Sequence, residues 1–228
     1  MRQLEDAAPR YWHPLPDVVQ FLVNHYNDAS RVLEIGPGAT PFPLATHFVD
    51  AADWGTGFEV ADVDIDREPL PFEDGFFDFA YCRHVLEDVQ NPDFVFAEIR
   101  RVARQFFVET PSPMAELTRN VDNIHAKSFY GNVPYRGYIH HRFVIGSNGH
   151  TLSAVPKHPC IDNLQLEAAF EEQVIELLAN PIYWNTYYWC EDTVTCPAIQ
   201  MHKHPFDFEL VPVFGNRPSY DALLTSMV

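Results

Sequence analysis

The residues best suited to ligand chemistry follow a short apolar run near the start of the chain. Val32 to Ile35 is apolar except for Glu34, and Gly36-Pro37-Gly38 comes directly after it. Glycine has no Cβ, so the backbone can turn sharply there and bring its N–H groups close to a ligand. The pattern predicts a buried strand that runs into a ligand-binding loop. A tight strand-to-helix turn that binds nothing is the alternative.

Acidic residues follow this loop from Asp50 to Glu68. The third glycine of a dinucleotide-binding loop is missing, because Pro41 stands in its place, and such a loop is built to hold a pyrophosphate. A carboxylate such as Asp50 is suited instead to a ribose diol, since it accepts two hydrogen bonds at once. The acids therefore favour a ligand without phosphate groups that carries a diol and positive charge.

Strands and helices alternate through the first half and would position these residues. Apolar patterning and turn residues predict a helix after Asp17 and a second helix that opens at Asn91-Pro92. The predicted strands are 31–35, 47–49, 58–63, 77–82 and 105–109. Such alternation is typical of a Rossmann-like, doubly wound α/β fold, with a mostly parallel sheet and helices on both faces. Pro41 and Pro43 leave little room for a helix after the glycine loop.

The second half of the chain does not continue the alternation of strands and helices. Asn148-Gly149 between two β-rich runs predicts a hairpin, and a capping box at Asp162 and Gln165 predicts a helix that reaches Leu178. Aromatic, β-rich segments follow at 183–189, 193–201 and 206–214. We interpret the chain as a single domain, residues 1–228, with a core at about 14–113 and an extension of antiparallel strands and a helix at about 114–228.

Composition excludes several classes of protein. The chain has 228 residues, 46% of them hydrophobic, and a formal net charge of −17, which argues against a general nucleic-acid or anionic-membrane binder. No apolar run approaches a membrane span, and the N-terminus lacks the apolar core of a signal peptide. The four cysteines form no CxxC pair. The sequence predicts free thiols and a soluble, cytoplasmic protein.

The order of these motifs resembles that of the class I S-adenosylmethionine (SAM)-dependent methyltransferases, in particular the methyltransferase-11-like branch that acts on small molecules and glycans. The resemblance covers about Arg31 to Pro113. It implies SAM as cofactor and S-adenosylhomocysteine as product. Where many relatives read His-Val-Leu-Glu-His, this chain ends the motif with Asp88, in His84-Val85-Leu86-Glu87-Asp88.

The resemblance also implies which residues bind SAM. Asp50 would take the ribose hydroxyls, with Asp53 as the alternative, and Asp64 would take the adenine edge, with Asp62 as a close second. The complete set of implied cofactor residues is Glu34, Gly36, Pro37, Gly38, Asp50, Asp64, Ile65, Arg83 and His84. His84 is expected to shape the cofactor loop rather than to take a proton.

Histidines after the fifth strand are the candidate catalytic residues. The family places this region on the acceptor side, and imidazole titrates near neutral pH, so His125, His140 and His141 could each act as general base. The alternative for each is a surface or packing residue. His202 and His204 could share one face of a strand, but no third ligand accompanies them, and we predict no metal site.

These inferences converge on O-methylation of a small-molecule or carbohydrate hydroxyl by in-line methyl transfer with a histidine base. A SAM-binding subunit without turnover, acting as a regulator or scaffold, is the alternative from another class. Aminopropyl transfer on the same fold is a third possibility. The aromatic cluster at 183–189 could wall an acceptor pocket, although a hydrophobic sheet face is the commoner explanation.

Overall fold

The fold is described from a computed structural model, which covers residues 14–38, 40–51, 57, 59–119, 121, 135–159, 161 and 167–203. Several predicted features lie outside these residues and stay predictions. They are the alternative ribose ligand Asp53, the candidate base His125, Cys160, the capping box at Asp162 and Gln165, His204 and the predicted strand 206–214.

A six-stranded sheet forms the centre of the described structure. Its strands are β1 (Val32–Ile35), β2 (His47–Asp50), β3 (Val60–Asp62), β4 (Phe77–Arg83), β5 (Ala103–Pro111) and β8 (Asn185–Cys190). They lie in the order β3-β2-β1-β4-β5-β8. The first five pair in parallel, and β8 is antiparallel to β5. This arrangement confirms the Rossmann-like fold and its antiparallel C-terminal extension.

Helices cover both faces of this sheet, which explains why its central strands are apolar on both sides. Helix α1 (Pro16–His25) buries Val18 and Leu22 against one face. Helix α2 (Pro92–Val102) buries Phe96 and Ile99 against the other. Pro92 opens α2 as predicted, but the Asn91 side chain makes no cap bond, because its Nδ2 donates to the Asp66 carbonyl instead.

The glycine loop leads into the sheet without an intervening long helix. Between β1 and β2 the described residues form turns, as the two prolines predicted. The short helix α3 (Pro113–Leu117), which the sequence pattern did not indicate, follows β5 directly. Ser112 caps it by accepting a hydrogen bond from the Ala115 N–H at 3.1 Å.

A second, three-stranded sheet contains the predicted hairpin. Strands β6 (Phe143–Ser147) and β7 (Leu152–Pro156) pair antiparallel, and β9 (Gln200–Met201) adds to β7 in parallel. The loop has four residues rather than two, because Ser147 pairs with Leu152. The Asn148 side-chain oxygen closes the loop by accepting hydrogen bonds from the N–H groups of His150 and Thr151.

Helix α4 (Ala168–Leu178) precedes a 3₁₀ turn (Pro181–Tyr183) and strand β8. The prediction of a strand over 193–201 is wrong for all but its last two residues. The Asp192 carbonyl accepts hydrogen bonds from the N–H groups of Thr195 and Cys196, and this turn uses backbone groups that a strand would need. None of the helices in the described part of the chain has the length and apolar character needed to span a membrane.

This turn also overturns the prediction of free thiols. It brings Cys196 back towards the end of β8, where it forms a disulfide with Cys190, and the two Cα atoms lie 6.1 Å apart. That separation is within the range that a disulfide requires. Cys82 in β4 is buried and is a free cysteine, as predicted.

Candidate functional site

A cavity of about 870 Å³ opens at the carboxyl ends of β1, β2, β3 and β4. In parallel α/β sheets this edge is where ligands bind, because loops from neighbouring strands meet there. The residues that line it are Gly36, Pro37, Gly38, Thr40, Val49, Asp50, Ala51, Asp62, Val63, Asp64, Ile65, Asp66, Arg83, His84, Val85, Asp88 and Val89. The cavity therefore contains every described residue of the predicted cofactor set except Glu34.

The glycine loop forms one wall of the cavity. Gly36 has a φ of +70°, and a Cβ at this position would lie 2.5 Å from Val85 Cγ2. Gly36 is therefore required both for its backbone conformation and for the close approach of the 84–89 turn. Gly38 also has a positive φ, but a Cβ there would meet no atom within 4 Å, so this end of the loop faces open space.

Glu34 is not among the residues that line the cavity, and its predicted role in cofactor binding stays a prediction. Its side chain is buried, and Oε2 accepts a hydrogen bond from the Phe42 N–H at 2.8 Å. Burial raises the pKa of Glu34 to about 7. This contact ties Glu34 to the chain after the glycine loop.

Aspartates form the opposite wall. Asp50 ends β2 and Asp62 ends β3, and the two are directly opposite each other in the parallel register. Asp64 and Asp66 follow on the next loop, and Asp66 accepts hydrogen bonds from the backbone N–H groups before α2 at 2.6 and 3.0 Å. Because Asp62 and Asp64 both line the cavity, the choice between them as adenine ligand stays open.

His84 occupies a constrained position between the cavity and the core. It has a φ of +55°, and its buried ring shares a 3.2 Å hydrogen bond between Nδ1 and Glu87 Oε1. Burial, helped by Arg83 and His141, lowers the pKa of His84 well below its usual value. A neutral imidazole fixed in this way supports the expectation that His84 shapes the loop.

A second group of polar side chains lies beside the cavity. His140 Nε2 and His141 Nε2 are each 3.9 Å from Asp88 Oδ1, and Asp88 itself lines the cavity. We call these three residues the His–Asp cluster. Two of the three candidate bases are thus brought together, although neither histidine is among the residues that line the cavity.

His141 is the buried member of the cluster, and Glu116 and Lys157 support its ring on the side away from Asp88. Its Nδ1 lies 2.5 Å from Glu116 Oε1, and Lys157 Nζ donates to Glu116 Oε2 and to the Tyr138 carbonyl at 2.6 Å each. Burial alone would raise the pKa of Glu116, but the charges of Lys157 and His141 outweigh it and lower the pKa to about 2. Ionised Glu116 accepts a hydrogen bond from Nδ1–H of His141, so in the neutral form of His141 the Nε2 lone pair faces Asp88.

Sequence reasoning missed Asp88, Glu116 and Lys157. The replacement of the last motif histidine by Asp88 was a signal that could have found the first of them. Glu116 and Lys157 carry no such signal, because their partners lie 25 and 41 residues away along the chain.

The aromatic segment is not part of either group. Trp184, Tyr187 and Tyr188 are buried, and none of them is among the residues that line the cavity. Tyr188 belongs to the same hydrophobic cluster as Phe96, and Trp189 donates a 2.7 Å hydrogen bond to the Tyr26 hydroxyl. Tyr187 and Tyr188 pack in two different hydrophobic clusters of the sheet, which favours the alternative explanation, and Trp184 packs in a third cluster with Tyr138 and Leu178.

The fold and the cavity define a Rossmann-like α/β protein whose ligand site lies at the carboxyl edge of the sheet. Residues 46–105, from the start of β2 into β5, match the family model described as a methyltransferase domain. This match confirms the resemblance to the SAM-dependent methyltransferases that was drawn from the motifs. SAM is the cofactor of that family.

Solved structures give similar but distant matches. The [4+2]-cyclase SpnF is 19% identical, with 42% of this chain and 45% of that chain covered and a TM-score of 0.34. A SAM-dependent methyltransferase from Mesorhizobium loti is 20% identical, with coverages of 39% and 50% and a TM-score of 0.31. A SAM-dependent methyltransferase from Thermotoga maritima, described as a possible histamine N-methyltransferase, is 18% identical, with coverages of 60% and 70% and a TM-score of 0.41.

The chain spans about half the length of the first two of these structures. Among curated proteins, no sequence matches it at a significant level.

Proposed function

We propose that the protein is an O-methyltransferase that transfers the methyl group of SAM to a hydroxyl of a small molecule or glycan. The observation that carries this proposal is that Asp88 belongs both to the cavity lining and to the His–Asp cluster. A cofactor cavity and groups able to handle a proton are therefore adjacent. SAM, when bound, supplies a methyl group on a positively charged sulfur that is open to in-line displacement.

The cavity has the donor and acceptor groups that SAM requires. Its lining carries five aspartates, and Arg83 is the only lysine or arginine among the described lining residues. This excess of negative charge suits a ligand with a sulfonium and an amino group, and it would repel a pyrophosphate. Asp50 would accept from the ribose diol, and Arg83 would bind the carboxylate of the methionine part.

The His–Asp cluster would deal with the acceptor. A neutral hydroxyl is a weak nucleophile until its proton is removed, so a base must lie within hydrogen-bond reach. His141 has the better-defined lone pair, because Glu116 fixes its Nδ1, whereas His140 has the more exposed ring, with a side chain 40% accessible. We assign the base to this pair and the positioning of His141 to Glu116.

The location in the cytoplasm remains a prediction from the sequence. The Cys190–Cys196 disulfide removes the argument from free thiols, so the location no longer has support from cysteine usage. The acceptor class rests on the family branch that the motifs resemble.

Calorimetry with SAM tests the proposal. We expect the protein to bind SAM, and Asp50→Ala to weaken binding at least about tenfold, because a charge-assisted hydrogen bond is worth about 1.5–3 kcal/mol. Asp28→Ala is the matched control, since Asp28 is exposed in the turn between α1 and β1, away from the cavity lining. Failure of the intact protein to bind SAM contradicts the proposal.

Gly36→Val is the second variant. A valine at this position would clash with Val85 and adopt a strained φ, so we expect SAM binding to be abolished. Gly38→Ala, which has the same strain but no clash, serves as its control and should retain binding. Release of S-adenosylhomocysteine in the presence of hydroxyl acceptors then tests turnover. SAM binding without product from any acceptor supports the non-catalytic subunit instead.

A further inference from the structure

The His–Asp cluster has the composition and spacing of a metal site. Asp88, His140 and His141 can each offer one ligand atom, and the three atoms lie within 4.8 Å of one another. We propose that these residues bind one divalent transition-metal ion, of the Zn²⁺ or Co²⁺ kind, on the acceptor side of the cavity. This inference rests on the proposed function for its role but not for its existence.

The distances fit a site that closes slightly around an ion. Each Nε2 is 3.9 Å from Asp88 Oδ1. Two ligands about 2.1 Å from one tetrahedral ion are about 3.4 Å apart, so each of these two nitrogen–oxygen distances would shorten by about half an ångström. The side chains of Asp88 and His140 are 41% and 40% accessible, so both can make that adjustment.

Asp88 Oδ1 is an independent indication. This atom is buried and has no hydrogen-bond partner among the residues that the structure describes. A buried carboxylate oxygen without a partner is costly, and a cation would satisfy it. Arg142 does not serve this purpose, because its Nε donates to the backbone carbonyl of Asp88 at 3.0 Å.

The support behind His141 is the second indication. Histidines that bind metals usually donate their other ring N–H to a carboxylate, which orients the ring and makes it a better ligand. Glu116 has this position at 2.5 Å from Nδ1, and Lys157 in turn holds Glu116. The lone pair at His141 Nε2 is thus already directed at the place where the ion would lie.

The ligand types select the ion. Two imidazoles and one carboxylate suit Zn²⁺, Co²⁺, Fe²⁺ or Ni²⁺, whereas Mg²⁺ and Ca²⁺ prefer sites made of oxygen. Three protein ligands also leave a coordination position for an exchangeable group.

An ion here would change how the acceptor loses its proton. A hydroxyl bound at the open position has a lowered pKa, so its O–H bond breaks and the proton passes to solvent water while the oxygen stays on the ion. An imidazole lone pair cannot hold the ion and take a proton at the same time. Deprotonation by a histidine base and deprotonation on the ion therefore exclude each other, and metal binding decides which of them operates.

Titration of metal-free protein with Co²⁺ tests the site, with visible absorption and equilibrium dialysis as readouts. We expect one tightly bound Co²⁺ per chain with an imidazole-type spectrum. His140→Gln and Asp88→Asn should each weaken it at least about tenfold, since loss of even an outer partner costs about 10–100-fold. His150→Gln is the matched control, because His150 is an exposed histidine in the β6–β7 loop.

His140 is exposed enough for its replacement to leave the fold intact, and Asp88→Asn keeps the shape of the side chain. Wild-type protein that takes up no Co²⁺ overturns the inference, as does a His140→Gln variant that binds Co²⁺ like His150→Gln. Calorimetry with SAM on the same samples keeps the proposals apart. SAM binding without Co²⁺ uptake contradicts the metal site and leaves the proposed methyl transfer unaffected.

Discussion

The two sides of the site are built in different ways. The cofactor side consists of loops that directly follow β1, β2, β3 and β4, so each of its groups is positioned by the strand before it. The proposed acceptor side joins Asp88, Glu116, His141 and Lys157, which come from four separate parts of the chain. Strand pairing in one sheet brings the first set together, whereas the second depends on packing between a helix, loops and the second sheet. Mutations should therefore act differently on the two sides.

The largest expected difference concerns ion pairs. Lys157 is 8% accessible and pairs with the buried Glu116, so Lys157→Met leaves an uncompensated carboxylate in the interior. We expect this change to lower the free energy of unfolding by about 3 kcal/mol, measured by urea denaturation. On the cofactor side Arg67 pairs with Asp64 at the surface, and Arg67→Ala should change it by less than about 1 kcal/mol.

The double variant Glu116→Gln with Lys157→Met sharpens this comparison. Removing both charges avoids the unpaired carboxylate, so the double variant should be more stable than Lys157→Met alone. Equal small losses for Lys157→Met and Arg67→Ala would show that water replaces the lost partner and that the two sides do not differ.

An intermediate effect is the pH dependence of stability caused by Glu34, which lies in β1 before the glycine loop. The folded-state pKa of Glu34, about 7, lies above the ordinary value of 4.5. Its contribution to stability is therefore complete below about pH 4.5 and is lost as pH rises through 7. The side chain of the Glu34→Gln variant cannot ionise. Between about pH 5 and pH 8 we therefore expect its free energy of unfolding to fall by about 1–3 kcal/mol less than that of the wild type.

Urea denaturation at the two pH values measures this effect. Glu73→Gln, at an exposed position, is the control and should follow the wild type. Part of the pH dependence of stability remains in every variant, because burial raises the pKa of Glu109 to about 7 as well. Parallel losses for Glu34→Gln and the wild type would contradict the assignment of the shift to Glu34.

The smallest expected effect is in the hairpin of the second sheet. Asn148→Ala removes the acceptor for the N–H groups of His150 and Thr151, which should cost about 1 kcal/mol in thermal or urea unfolding. His150→Ala at the same loop should stay within about 0.5 kcal/mol. Neither change should alter SAM affinity, and a loss of SAM binding in Asn148→Ala would mean that the hairpin also supports the cavity.

The same contrast explains what the sequence could predict. Strand β1 lies where it was predicted, and Gly36 and Asp50 line the cavity, because apolar runs, glycines and strand-end acids act on their own neighbourhood. The pattern shows that Glu34 lies in the strand but not what its side chain contacts, so its hydrogen bond with the Phe42 N–H could not be predicted.

For the proposed acceptor side, the sequence could predict only some of the residue types. His140 and His141 were recognisable as chemistry-bearing, but Glu116 was not, because a single glutamate in a short unpredicted helix has no periodic signal. The disulfide was missed for a related reason. Cys190 and Cys196 approach each other only because Asp192 makes a turn where β-propensity favoured a strand.

The two sides are joined through the Glu87 carbonyl. It accepts hydrogen bonds from the N–H groups of Arg142 and Phe143 at 2.7 and 3.1 Å, which holds the histidine segment against the 84–89 turn. Donors and acceptor are all main-chain groups, so no exchange among ordinary side chains removes these bonds, and only proline deletes a donor. The attachment is therefore tolerant of sequence change: under the proposed function, side chains of the histidine segment can vary with the acceptor while the segment stays bound to the 84–89 turn.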